Sequence, residues 1–175
     1  LMLFLGQRLS DPVTTTIIVA MMPLAGAAIE VVFEGRRLTT AIVVGILLAV
    51  GGGYLATGVA LQDGDFGIGV AFCAIAIVLF AWATRATTRQ LGELSPTGQT
   101  TVTMIGGALV ALILYGVFRL AGSEETRPGA VSMQVLWPFL IYMLPSSGIA
   151  QLLWINGAGR LGVMLASFHM NAAPF

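Results

Sequence analysis

AIVVGILLAVGGGYLATG, residues 41–58, runs for eighteen residues without a charge and carries five glycines. Each interior glycine costs a water-exposed helix about 1 kcal/mol relative to alanine, and strands of this length are rare. In a bilayer the balance changes, because small residues let helix backbones approach closely. Gly45, Ala49, Gly52 and Gly53 fall on or near one helical face, which predicts a helix whose glycines serve contact with other helices.

The rest of the chain has the same character. Of 175 residues, 57% are hydrophobic and 9% charged, against roughly 25% charged in an ordinary globular chain. Eight Arg, no Lys and eight acids leave no net charge, so neither a nucleic-acid partner nor a polybasic surface is indicated. The lone Cys73 excludes an internal disulfide and a Cys-based metal site, and no cofactor motif is present. Cys73 itself fits a small buried or lipid-facing side chain.

Charges divide the chain into spans, since a bilayer core needs about 20 apolar residues per helix. The uncharged gaps are 18 residues from Asp11 to Glu30, 25 from Arg37 to Asp63, 19 from Asp65 to Arg85 and 25 from Glu93 to Arg119. A 32-residue gap over 128–159 contains Pro138 and Pro145 and predicts one kinked or tilted span from Val131 to Ile155, with a further span beginning near Gly162. Backbone groups inside hydrocarbon must be satisfied within the segment, and these runs lack the alternation of barrel strands, so the expected class is an all-α polytopic bundle. LMLFLGQ resembles the end of a span and AAPF stops inside an apolar run, so truncation at both ends is expected.

Loops alternate sides. One side receives Arg36, Arg37, Arg85, Arg89 and Arg160; the other receives Arg8, Arg119 and Arg127 together with Asp11, Asp63, Asp65, Glu124 and Glu125. The positive-inside rule makes EGRRLTT and TRATTRQ cytoplasmic and places LQDGDFG and GSEETRPG outside. Trp82, Trp137, Tyr115 and Tyr142 fit interfacial belts. GQRLSDPVTTTIIVAMMPL and GAGRLGVMLASFHMNAAPF share a small residue, Arg-Leu, a short turn and a span with a mid-helix Pro, with one residue gapped. The two copies would cross in opposite senses, and such inverted repeats recur in secondary transporters.

PLAGAAIEVVFEGRRLTTAIVVGILLAVGGGYLATG resembles the end of an EamA domain of the drug/metabolite transporter superfamily, with its mid-helix Pro, Gly-charged-Arg-Leu turn and glycine-rich last helix. FGIGVAFCAIAIVLFAWATRATTRQ is similar to the first helix of the second repeat, and QLLWINGAGRLGVMLASFHMNAAPF to its third-to-fourth helix passage. The resemblance implies ten helices in two inverted five-helix units. Residues 1–62 would be the C-terminal part of the first EamA repeat and 63–175 the N-terminal part of the second. Where the family usually carries Glu after its Pro-containing fourth helix, this chain has Arg36, with Glu34 two residues earlier.

Candidate functional residues follow from polar groups in apolar spans. Glu30 is the only carboxylate within a span; it can snorkel to the cytoplasmic interface or serve gating or proton coupling. Pro23 and Pro174, at matching places in the repeat, join it as gating candidates. Ser147, Gln151 and Trp154 share one face after Pro145, suited either to a small zwitterion or to capping the kink. Ser167 and Asn171 share a face with Pro174, while His169 points elsewhere; all three are candidates for substrate binding or for bonds between helices. One His is too little for a metal site. Ser147 and His169 also allow an intramembrane serine hydrolase, although no nucleophile-elbow or zinc-protease motif accompanies them. A channel or structural membrane subunit is a further alternative. The absence of Lys counts against the phosphate and nucleotide-sugar branches of the superfamily, so the resemblance implies an exporter or exchanger of amino acids or similar metabolites in the cell inner (plasma) membrane. Its partners would be a small-molecule substrate, the lipid bilayer and a coupling proton.

Overall fold

The computed structural model describes residues 2–57, 67–124, 129 and 132–172. Nine α-helices are described: α1 (Met2–Leu9), α2 (Pro12–Ala20), α3 (Met22–Glu34), α4 (Thr40–Thr57), α5 (Ile68–Gln90), α6 (Pro96–Leu120), α7 (Met133–Met143), α8 (Ala150–Leu161) and α9 (Val163–Ala166). A π-helical segment, Leu144–Ile149, joins α7 to α8, and a 3-10 segment, Ser167–Ala172, continues α9. No strand occurs among the described residues.

Among the described residues four helical stretches are long and apolar enough to cross a membrane: Pro12–Glu34, Ile68–Gln90, Pro96–Leu120 and Met133–Leu161. The burial pattern supports the same solvent. Leu109, Leu112, Ile113 and Leu120 are exposed, whereas Thr15, Glu30, Thr84, Gln99, Thr100 and Ser167 are buried. Water would penalise that outside, and hydrocarbon accepts it. The helix α4 is 18 residues long, about 27 Å at 1.5 Å per residue, close to the thickness of a bilayer core.

Contacts divide the chain into two compact units, Leu1–Arg89 with Gly157–Phe175, and Gln90–Asn156. These boundaries differ from the repeat boundary expected at 62/63, because α5 and the last residues pack with the first part of the chain. Repeats describe ancestry and units describe contact, so the two divisions need not coincide.

In the first unit the chain breaks twice before α3. The break between α1 and α2 is capped locally: Asp11 Oδ1 accepts from the backbone N–H groups of Val13 and Thr14, both at 2.9 Å, and Pro12 opens the helix without needing a donor. The break at Met21 precedes Pro23, which sits in the first turn of α3 and cannot continue the hydrogen-bond ladder of α2. The close packing of this unit lies along α3. Ala25, Gly26, Ala27, Ile29 and Glu30 are buried, and a Cβ added to Gly26 would come 2.8 Å from Met164 Cα. Only hydrogen on Gly26 allows α3 and α9 to approach so closely. Ala27, Ile46 and Met164 form the apolar cluster beside that crossing, with Ile42 and Phe168 against it. A second close crossing joins α1 and α5: a Cβ on Gly6 would fall on Cys73 Sγ and one on Gly69 would meet the Leu9 carbonyl. Cys73 is accordingly a buried packing residue.

The glycine-rich α4 departs from expectation. A Cβ on Gly45 would reach Phe168 Cζ at 3.3 Å, but one on Gly51 or Gly52 would meet nothing within 4 Å. The surroundings of Ala49 and Gly53 lie outside the described residues, as does Gly58. Small residues permit a close neighbour without supplying one, and in this chain the permission is used at Gly26, Gly6 and Gly69.

The second unit opens with a short turn that leads into α6. Ser95 Oγ accepts from Gly98 N–H at 3.2 Å, and the buried Gln99 donates through Nε2 to the carbonyls of Leu91 and Leu94, both at 3.1 Å. The kinked span expected over Val131–Ile155 instead runs from Met133 to Leu161. The wide π turn accommodates Pro145, which has no N–H to donate, and Ser146 Oγ donates to the Tyr142 carbonyl at 2.6 Å beside the irregularity.

Candidate functional site

The site begins with how α3 ends. Gly35 adopts φ +63°, a left-handed conformation, and the two closing bonds of this type of helix stop are present: Arg36 N–H to the Glu30 carbonyl at 3.3 Å and Gly35 N–H to the Val31 carbonyl at 3.1 Å. The chain therefore turns back on its own last turn. That reversal carries the Arg36 side chain over Glu30, and Arg36 Nη1 donates to Glu30 Oε2 at 2.6 Å.

Glu30 is 1% exposed. It does not snorkel to the interface, because its second oxygen is also engaged: Met164 N–H, near the start of α9, donates to Glu30 Oε1 at 3.0 Å. Gly162, the residue before α9, has no side chain to act as a cap. Glu30 supplies the acceptor from another helix, doing for α9 what Asp11 does for α2. Gly162 has φ +88° and ψ 162°, and a Cβ there would lie 2.5 Å from Glu30 Oε1 and 2.8 Å from Arg36 Nη1. Glycine is required on both counts. Arg36 also reaches the Leu161 carbonyl at 3.5 Å, so one carboxylate and one guanidinium join the end of α3 to the α8–α9 break.

A second ion cluster lies next to the first. Arg89 donates to Glu34 through Nε at 3.0 Å and Nη2 at 2.8 Å, the two-pronged geometry that suits a guanidinium and a carboxylate. Arg85 Nε donates to Glu34 Oε1 at 3.2 Å, and the Arg85 guanidinium sits 4.9 Å from the Phe33 ring centre. Arg85 and Arg89 are one turn apart on α5, so both can face the same acid. These groups line a cavity of about 410 Å³ that also includes Thr88, Arg160, Gly162 and Val163. Four of the five arginines that loop alternation puts on one side, Arg36, Arg85, Arg89 and Arg160, thus surround a single cavity.

The remaining candidates lie elsewhere. Ser147 and Gln151 are half-buried and Trp154 is buried, all within the unit Gln90–Asn156. Ser167 and His169 belong to the other unit. Ser167 is fully buried, and its hydroxyl donates to the Met164 carbonyl at 2.7 Å, so its hydrogen is spent within its own helix. His169 Nδ1 lies 2.6 Å from the Ala166 carbonyl, which places a hydrogen on that nitrogen. Asn171 lies in the 3-10 segment with its side chain outside the described residues, and Pro174 falls wholly outside them. Pro23 is buried at the start of α3. No group of three His, Cys, Asp or Glu side chains able to hold a metal occurs among the described residues.

Sequence reasoning placed Glu30, Arg36 and Glu34 near one another but missed Gly162, the Met164 N–H and the grip of Arg85 and Arg89 on Glu34. The spacing of Arg85 and Arg89, on the same side as Glu34 by loop alternation, was the available signal for the last. No protein family, characterised protein or solved structure was found to match the chain.

Proposed function

We propose that this chain forms part of a secondary transporter that moves small metabolites such as amino acids across the cytoplasmic membrane by alternating access. One observation carries the proposal. A buried carboxylate, Glu30, ties the end of one broken span to the start of another through an ion pair with Arg36 and a bond to the Met164 backbone. A permanent joint could be made of apolar contacts alone. A polar joint between helix breaks leaves groups that water or a substrate can take over when the helices part, which suits a gate. The matching breaks after Arg8-Leu9 and after Arg160-Leu161 support the inverted-repeat plan of the EamA resemblance, in which Pro23 and Pro174 would mark corresponding places. Ser147, Gln151 and Trp154 within one unit and, separately, His169 and Asn171 within the other remain candidate substrate contacts, with Glu30 as the proposed gate.

Reconstitution in proteoliposomes tests the proposal. Preloaded vesicles should exchange labelled amino acids with saturable kinetics, and Glu30→Gln should lower the maximal rate more than the half-saturating concentration. Flux that rises linearly with concentration would identify a channel, and absence of flux across an amino-acid panel would remove the stated substrate class.

A further inference from the structure

We propose that the arginine-lined cavity binds a phosphate group, presented by a soluble phosphate or by the headgroup of a membrane phospholipid. Four guanidinium groups and two carboxylates line it, a surplus of two positive charges. Both carboxylates are already engaged: Glu30 by Arg36 and the Met164 N–H, and Glu34 by Arg85 and Arg89. Arg160 has no ion-pair partner among the described residues. Each guanidinium has five N–H donors, and Arg36 uses only Nη1 in its bonds to Glu30 and Leu161, so donors remain on cations that have already met their acids.

Charge and size select the ligand. A phosphate monoester carries roughly −1.5 to −2 at neutral pH, matching the surplus, whereas a single carboxylate would neutralise half of it. Its oxygens suit the planar fork of arginine, which binds phosphate with two parallel bonds. A cavity of about 410 Å³ falls within the usual range of roughly 300 to 1,000 Å³ for small-molecule sites.

The test measures binding without a gradient. The chain in phosphatidylcholine nanodiscs is titrated with inorganic phosphate at constant ionic strength, with chloride as the balancing anion, and the thermal unfolding midpoint is followed; parallel nanodiscs contain phosphatidic acid. A saturable rise in midpoint is expected, weakened about tenfold or more in apparent affinity by Arg160→Gln, partly restored by Arg160→Lys, and unchanged by Arg37→Gln. Arg160 is exposed and holds no ion pair among the described residues, so its variants should fold. A response to inorganic phosphate identifies a soluble ligand, and a response to phosphatidic acid alone identifies the lipid. No saturable response to either, or equal weakening by Arg37→Gln and Arg160→Gln, overturns the proposal. Phosphate binding without amino-acid flux would leave this site standing and remove amino acids as the carrier's substrate class, while amino-acid flux without phosphate binding would do the reverse.

Discussion

Removing either partner of the Glu30–Arg36 pair should have unequal consequences, because the two ends are differently solvated. Glu30 is 1% exposed, whereas the Arg36 side chain is 32% exposed. Arg36→Gln leaves a carboxylate stranded in the interior, and breaking a buried pair in this way costs about 3–5 kcal/mol. Glu30→Gln leaves the cation beside water, where it can turn outward, and retains an amide oxygen that can accept from Met164 N–H. Its expected cost is about 1 kcal/mol, the size of one ordinary hydrogen bond. Glu30→Ala falls between, since Met164 is fully buried and its N–H would lose its acceptor at about 1–3 kcal/mol.

The order of destabilisation should therefore be Arg36→Gln, Glu30→Ala, Glu30→Gln. Reversible unfolding in mixed micelles, followed by tryptophan emission and helical circular dichroism, can resolve differences of this size. The reasoning fails if Arg36→Gln is no more damaging than Glu30→Gln. That result would mean that the carboxylate is solvated in both variants, as a snorkelling Glu30 would be.

Gly162→Ala should destabilise by at least about 1–3 kcal/mol from its backbone conformation alone, whereas Gly52→Ala, with open space around it, should be close to neutral; comparable losses in the same unfolding assay would contradict the assignment of the tight site. Asp11 is fully exposed, and its carboxyl is held below the usual value, first by the Thr14 hydroxyl and then by backbone N–H groups of Thr14 and Val13. A depressed folded-state value means that the cap contributes fully above the unfolded value of 3.8 and is lost as pH falls through the folded one, so Asp11→Asn should flatten the acid limb of the stability profile; an unchanged limb would show that the cap is not formed. Arg37→Cys should react with an impermeant thiol reagent only after cells are opened, the native Cys73 being buried, and labelling of intact cells would reverse the proposed orientation.

What could be read from the residues is what neighbours in sequence decide. Charge spacing alone anticipated Pro12–Glu34 as a span, because the hydrocarbon thickness sets a length that any uncharged run must meet. In the Pro145-containing segment the charges left an uncharged run as far as Gly159, and the span expected within it, Val131 to Ile155, fell short of a helix that continues to Leu161; charge spacing bounds a span without saying where its helix ends. Glu30 stood out as a lone acid in a span, but its solvation depended on two events invisible locally: the left-handed turn at Gly35 and the arrival of α9. Gly52 illustrates the converse. A glycine states that a neighbour could come close, and only the packed chain says whether one does.

The two capped breaks show where that limit falls. Asp11 caps α2 from two and three residues away, so Asp-Pro before an apolar run is a motif that can be recognised in a sequence. The acceptor for α9 comes from Glu30, 134 residues away, and Gly162 carries no trace of it except the lack of a side chain. The difference is also mechanical. A local cap moves with its helix and survives any rearrangement of the bundle. A cap lent by another helix exists only while the two helices are together, so α9 loses a backbone partner whenever α3 withdraws. The bond to Glu30 thus adds a polar tie to the apolar packing of Ala27 against Met164, and it lasts only as long as α3 and α9 stay together.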